Sequence, residues 1–277
     1  MKPIKDGDEE ALNYLRARVK PFILRRTKKE VVKELPPKVE HVYYAALIDE
    51  QKELYAALAK RLKEQVLKKV EEKGLAQSQM SILDALLKLR QICCHPRLLK
   101  LDMPGINTNM PSGKFEAFKD LVTGIIEDGH KVLVFSQFVQ MLHIIRAWLK
   151  MNKIPFAYLD GSSKDRFEQV ERFNNDPSIP IFLISLKAGG TGLNLTSADY
   201  VIHYDPWWNP AVESQATDRT HRIGQTKKVF SYKLICENTV EEKILQLQQK
   251  KKRSCRGNNP RSGSLEVLDK GRFRDVV

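Results

Sequence analysis

Two apolar runs constrain this chain more than anything else in it. "KVLVFS" (131–136) and "IPIFLIS" (179–185) are almost wholly apolar, with no polar alternation. A strand with one wet face alternates, whereas a strand covered on both faces does not. "FAYLD" (156–160), "YVIHYD" (200–205) and "KVFSYKLI" (228–235) read as further strands. Between and around them lie amphipathic stretches of helical period: 114–129, "QMLHIIRAWLKMN" (140–152), "DRFEQVERFNND" (165–176), "PAVESQATDRTH" (210–221) and "TVEEKILQLQQKKK" (239–252). Thr239 and Glu242 suit a capping box at the last of these. Strands alternating with helices predict an α/β fold, a parallel sheet covered by helices on both faces. In such sheets the ligand crevice lies beyond the carboxyl ends of the strands.

The first hundred residues follow another rhythm. "DEQKELYAALAKRLKEQVLKKVEEKG" (49–74) starts at a capping Asp49, repeats Leu54, Leu58, Leu62, Val66 and Val70, and stops at Gly74. A second helix, "SILDALLKLRQICC" (81–94), ends before His95-Pro96. "LPPKVEHVYYAAL" (35–47) reads as extended, and the Pro- and Gly-containing 101–113 as a loop. The expected division is 1–48, a connecting segment with the first strand; 49–110, a helical protrusion; 111–252, the α/β lobe; and 253–277, a tail. That tail has no period, is rich in Gly, Asn, Ser and Arg, and reads as disordered or as appended sequence.

Charge narrows the partners. A formal net charge of +13 suits a polyanion, with nucleic acid first. No run of eighteen apolar residues and no signal peptide is present, so neither a membrane partner nor export is expected. The four cysteines (Cys93, Cys94, Cys236, Cys255) form no CxxC pair, so they read as reduced and structural, with no metal site.

Four motifs bear on chemistry. "PSGKFEAF" imitates a phosphate loop, but Thr108 stands at the first glycine position and Phe115 at the hydroxyl position. Gly113-Lys114 is then a helix-entry turn, and no complete nucleotide site is encoded. "SLKAGGTGLNL" (185–195) has Leu195 where a dinucleotide fingerprint needs glycine. Two readings stay open there: a tight turn needing positive φ, or backbone amides offered to a phosphate with Lys187 and Thr191. "YDPWWNP" (204–210) carries Trp207 and Trp208, either as two plugs or with one ring facing nucleic acid. In "QATDRTHRIGQTKKV" (215–229), Arg219 and Arg222 stand three apart after the helix start at Asn209-Pro210. On a helix they share a face and can present two guanidiniums to one phosphate. The duller reading is an ion-paired helix face involving Asp218.

Taken together, "KVLVFSQF", "YLDGSSKDRFEQVERFN", "FLISLKAGGTGLNLTSADYVIHYDPWWNPAVESQATDRTHRIGQ" and "VFSYKLICENTVEEKI" closely resemble the second RecA-like lobe of Swi/Snf-type ATPases, double-strand DNA translocases of helicase superfamily two. The resemblance runs from about residue 20 to residue 250, with Lys20 replacing an arginine of the "RPFILRRTKKEV" pattern. "LRQICCHPRLL" resembles the family's helical insertion. It implies a RecA-like fold, ATP and Mg2+ held mainly by a first lobe carrying the phosphate loop, and this lobe closing over the nucleotide. By motif position Arg219 and Arg222 resemble arginine fingers, with Gln215, Gly190 and Gly192 near the nucleotide. Ser136, Gln137, Gly161, Ser162, Lys187, Thr191, Asn194 and Trp207 or Trp208 resemble the DNA-tracking positions.

The implied partners are double-stranded DNA, the N-terminal RecA-like lobe and a DNA-bound protein target, inside the cell, in nucleoid or nucleus. The chain alone is expected to be inactive as an ATPase. The rivals are a stand-alone nucleic-acid-binding module and a small-molecule enzyme; the broken fingerprint and the lack of a nucleophile–base pair disfavour the second.

Overall fold

The computed structural model describes residues 8–22, 35–99, 108–190 and 192–256. A short helix α1 (Glu9–Val19) precedes strand β1 (Lys38–Ala45) and a long helical segment α2 (Asp49–Cys94). Then follow α3 (Gly113–Glu127), β2 (Val132–Ser136), α4 (Val139–Met151), β3 (Phe156–Leu159), α5 (Arg166–Asn175) and β4 (Ile181–Ser185). β5 (Tyr200–His203), α6 (Pro210–Thr217), β6 (Val229–Cys236) and α7 (Val240–Arg256) complete the order. All strand pairings are parallel, in the order β1-β6-β5-β2-β4-β3.

The continuous apolar strands are explained by their two faces. Val132 and Val134 of β2, with Ile181 and Leu183 of β4, join a core under α3 and α4 that includes Phe118, Val122, Leu142 and Ile145. Their neighbours Leu133, Phe135, Phe182 and Ile184 point the other way, against Val170 and Phe173 of α5 and Ala216 of α6. Successive strand residues face opposite sides, so burying both sides demands apolar residues at every position.

α2 is a helical hairpin rather than one rod. At Gly74 the backbone takes φ 76° and ψ 167°, a combination essentially restricted to glycine. The two arms fold back together: Lys69 Nζ donates to Ser81 Oγ at 3.0 Å, and Leu58, Leu62 and Val66 share a core with Ile82, Leu86 and Leu89. Ser78 Oγ donates to the carbonyls of Lys69 (3.0 Å) and Gly74 (2.8 Å), securing the bend. At the hairpin's base Gln51 Nε2 donates to the Ile92 carbonyl at 2.7 Å, while its Oε1 accepts from Gly113 N. Asp49 is the first helical residue, and Ile48 takes the cap position without a side-chain bond, which corrects the cap expected from sequence. α7 runs to Arg256, four residues past the end of the sequence periodicity, and 257–277 lie outside the described residues.

The Gly113-Lys114 pair is the helix entry that the broken phosphate-loop pattern implies. Ser112 caps α3 and Lys114 is fully buried. Its ammonium bonds Glu241 of α7 and donates to the carbonyls of Tyr204 (3.3 Å) and Leu234 (3.2 Å). Burial alone would lower the Lys114 pKa; the Glu241 carboxylate overrides that and raises it.

Candidate functional site

The sheet has one carboxyl edge, and four loops leave it carrying sequence motifs. Ser136 ends β2, Asp160 follows β3, Lys187 follows β4, and Tyr204-Asp205 follow β5. Two of these loops are joined by one buried carboxylate. Asp205 accepts from Ser136 Oγ at 2.6 Å and from the Gln137 amide at 3.2 Å. Arg90, from the second arm of α2, completes the knot. Its Nη2 lies 3.6 Å from Asp205 and also bonds the Pro206 carbonyl; its Nη1 donates to Gln137 Oε1 at 3.1 Å. Three rings surround the guanidinium, with centroids at 5.4 Å (Trp208), 5.8 Å (Phe138) and 6.0 Å (Trp207). Burial pushes the Asp205 carboxyl up to about 6, against the pull of Arg90 and Ser136.

Both tryptophans are half-buried. Trp207 packs against the core under α5 and α6, and Trp208 against the hairpin core. The Trp207 amide donates to Glu213 Oε1 at 2.7 Å, and Gln248 of α7 bonds both Glu213 and the Trp207 carbonyl. Glu213 also pairs with Lys233; burial opposes its charge, but His203 and Lys233 hold its pKa below the usual value. The "DPWW" turn is therefore braced from three elements.

After β3, Asp160 organises "DGSS". Its Oδ1 accepts from the amide (2.8 Å) and hydroxyl (2.6 Å) of Ser162, and its Oδ2 from Tyr158 at 2.8 Å. Burial works against this carboxylate, yet the bonds from Ser162 and Tyr158 hold it near 2. Gly161 and Ser162 are exposed, as are Lys187, Gly192 and Asn194, whereas Ser136 is buried. Thr191 lies outside the described residues, and Gly190 sits in the short 3-10 turn Ala188–Gly190. Neither Gly189 nor Gly192 has positive φ, so the tight-turn reading draws no support from these two glycines. What Gly189 permits is close approach: a Cβ there would meet Phe135 Cε1 at 2.9 Å.

The arginine segment occupies a different place. α6 starts as expected, with Asn209 Oδ1 accepting from Ala211 N at 3.0 Å and Pro210 at its first turn, but it ends at Thr217. Arg219 and Arg222 lie in the turns beyond it, so the shared helical face expected from their spacing does not exist. Those turns are stitched toward the amino ends of β1 and β5. His221 Nε2 donates to the Pro36 carbonyl at 2.7 Å, and Gln225 Nε2 to the Thr196 (3.1 Å) and Ala198 (2.9 Å) carbonyls. The Arg219 carbonyl accepts from Leu195 N at 3.1 Å, which sets the segment against the end of the glycine loop. Gln215 and Arg222 are exposed and Arg219 is half-buried. Burial, and then the neighbouring Arg222, lower the Arg219 pKa, with Asp218 partly offsetting them.

Cys93, Cys94 and Cys236 are free and buried. Cys93, Cys236 and Glu241 place their ligand-type atoms within 4.8 Å of one another, but the Lys114 ammonium already serves Glu241 there. No helix among the described residues is long and apolar enough to cross a membrane.

Residues 113–224 match the helicase conserved C-terminal domain, and residues 1–98 match the SNF2-related domain. The chain is 41% identical over 249 residues to an uncharacterized ATP-dependent helicase of Mycoplasma pneumoniae, covering 89% of this chain and 23% of that protein. It is 36% identical to the solved SWI2/SNF2 ATPase C-terminal domain of Sulfolobus solfataricus, with a TM-score of 0.65 over 87% of this chain and 98% of that one. The chain belongs to the Swi/Snf family.

A second solved structure, the SWI2/SNF2 ATPase core of Sulfolobus solfataricus in complex with dsDNA, is 38% identical with a TM-score of 0.69, covering 100% of this chain and 58% of that one. This Swi/Snf chain spans about a quarter of the length of the curated relatives it matches. It has the RecA-like α/β fold of the family's C-terminal lobe, with the helical hairpin set between β1 and α3. Sequence reading singled out the residues that leave the strands and missed those that hold them. Asp160 directly follows β3 and Asp205 comes two residues after β5, and that nearness to a strand end is a usable signal. Arg90 has none, because its partners are 47 and 116 residues away.

Proposed function

We propose that this chain is the C-terminal motor lobe of a DNA-stimulated, ATP-dependent double-strand DNA translocase that remodels protein–DNA complexes. In this reading Arg219 and Arg222 are arginine fingers. They neutralise charge developing on the γ-phosphate of an ATP whose Mg2+ and phosphate contacts come mainly from an N-terminal RecA-like lobe. Such a group contributes on the order of 10³ to 10⁵ in turnover. Gln215, Gly190 and Gly192 stand near the nucleotide. The exposed Arg222 beside a half-buried Arg219 carries this reading: two cations in adjacent turns, positioned by backbone bonds.

DNA is tracked from the carboxyl edge. Gln137, Gly161, Ser162, Lys187, Thr191, Asn194 and the Trp207-Trp208 turn meet phosphates and sugars, contacts that carry no sequence information. Ser136 is buried and serves by fixing Gln137 through Asp205. The proposed division is 1–48 as connector and edge strand, 49–110 as protrusion, 111–252 as motor lobe and 253–277 as tail.

The test is ATP turnover by this chain with and without duplex DNA. The reading predicts none above background, because the phosphate loop is elsewhere. DNA-stimulated turnover at the rate of a full motor overturns it. The net charge of +13 also favours a second reading, a nucleic-acid-binding module that never meets ATP. That reading predicts tight, salt-dependent DNA binding that nucleotide and the first lobe leave unaltered.

A further inference from the structure

The turns that carry Arg219 and Arg222 belong to no helix or strand, since α6 ends at Thr217 and β6 begins at Val229. Side chains hold them instead, and two of these differ in kind. Gln225 is buried and ties the segment to its own sheet. Its Nε2 donates to the carbonyls of Thr196, Ala198 and Thr220, and its Oε1 accepts from the Lys227 amide at 2.9 Å. His221 reaches the other way. Its Nε2 lies 2.7 Å from the Pro36 carbonyl, and a carbonyl only accepts, so Nε2 carries a proton and donates. The stretch it reaches is itself fixed: the Pro37 carbonyl accepts from Val229 N at 3.3 Å, where β1 begins to pair with β6. His221 lies in the stretch that matches the helicase C-terminal domain, and Pro36 in the stretch that matches the SNF2-related domain. One imidazole, standing between the two arginines in sequence, therefore joins their turns to the connector.

We propose that His221 is a positioning residue for ATP turnover: its bond to the Pro36 carbonyl fixes the arginine turns to the connector, so that Arg222 keeps its place when two lobes close on a nucleotide. The inference rests on the reading of Arg219 and Arg222 as arginine fingers. In that reading the connector leads to the lobe that holds the phosphates. Gln225 then sets the arginine turns relative to this lobe, and His221 sets them relative to the connector. Arg222 follows His221 directly in the chain, and its own amide donates to the Thr220 carbonyl at 3.0 Å. An exposed arginine is long and flexible, so the place of its guanidinium depends on how firmly its backbone is held. Misplacing a reacting group by about 1 Å can cost about 10²-fold in rate. The role needs an N–H donor at this reach and no proton exchange, because Nε2 donates in the imidazolium and in the neutral tautomer seen here alike.

The experiment uses the whole motor, this lobe joined to a phosphate-loop lobe. It measures kcat and KM for ATP, duplex affinity and melting temperature in wild type, His221→Phe, His221→Gln, Arg222→Ala and the double variant His221→Phe/Arg222→Ala. Phenylalanine keeps a ring without a donor, and glutamine keeps an N–H at nearly the same reach. His221→Phe is expected to lower kcat about ten- to hundredfold while KM for ATP changes by less than about twofold. Its duplex affinity and melting temperature are expected to stay close to wild type, and His221→Gln to recover most of the lost kcat. The double variant is expected to be no slower than Arg222→Ala, because His221 acts through Arg222. Wild-type kcat in His221→Phe, or a folded His221→Gln as slow as His221→Phe, overturns the inference and leaves the arginine reading in place. A His221→Phe motor whose melting temperature, duplex affinity and turnover fall together marks a purely structural histidine and overturns it as well. Wild-type turnover in Arg222→Ala overturns the arginine reading and this inference with it.

Discussion

His203 ends β5 with its ring fully buried, stacked on Phe135 at 5.7 Å and bonded through Nε2 to Thr217 Oγ1 at 2.9 Å. Burial lowers its pKa from 6.5 to about 4, so the folded lobe holds it neutral where the unfolded chain protonates it. Between those values the unfolded state binds the extra proton, and stability falls as pH falls. His95, lowered to about 4 by burial and by Arg97, adds a second term of the same sign; Asp205, raised to about 6, opposes both below pH 6. Urea unfolding across this range is expected to show a pH slope flatter by about 1.4 kcal/mol per pH unit in His203→Phe than in wild type. Identical slopes would mean that His203 is protonated in the fold. None of this was visible in "YVIHYD", where the histidine is one polar letter in an apolar run. Arg219 and Arg222 were legible because two arginines at that spacing are conspicuous. Their setting was not, because where α6 stops is decided by the carbonyls that Gln225 and His221 reach, far away in sequence.

At the scale of elements, periodicity carried most of the fold. Every strand expected after residue 130 is present, because strands buried on both faces leave no choice of residue type. Gly74 was legible as a stop, but not as the pivot of a hairpin whose arms share one core. The pivot makes its own prediction. Gly74→Ala forces an L side chain into a conformation that disfavours it by about 1–3 kcal/mol. Nothing lies within 4 Å of the added Cβ, so the cost is conformational, without a clash. The expected result is a lower melting temperature, with Ala at the exposed control Lys73 neutral or stabilising. A Gly74→Ala protein as stable as wild type would mean that the bend is not held at this residue. The edge position of β1 was not legible: "LPPKVEHVYYAAL" reads as a strand, but its pairing with β6 crosses nearly two hundred residues.

At the scale of the whole molecule, two surfaces stand apart. The carboxyl edge carries loops locked to the hairpin by Arg90 and Asp205, and the turns after α6 carry the two arginines toward the amino ends of β1 and β5. In the proposed reading the first surface meets DNA and the second answers the state of the nucleotide, with the loop after β4 serving both. The most direct measurement joins this lobe to a phosphate-loop lobe and compares wild type with Arg222→Ala for ATP turnover and duplex affinity. The account predicts turnover lower by about 10³ or more with DNA affinity largely kept. Loss of DNA binding with turnover retained would contradict it and make Arg222 part of the DNA surface.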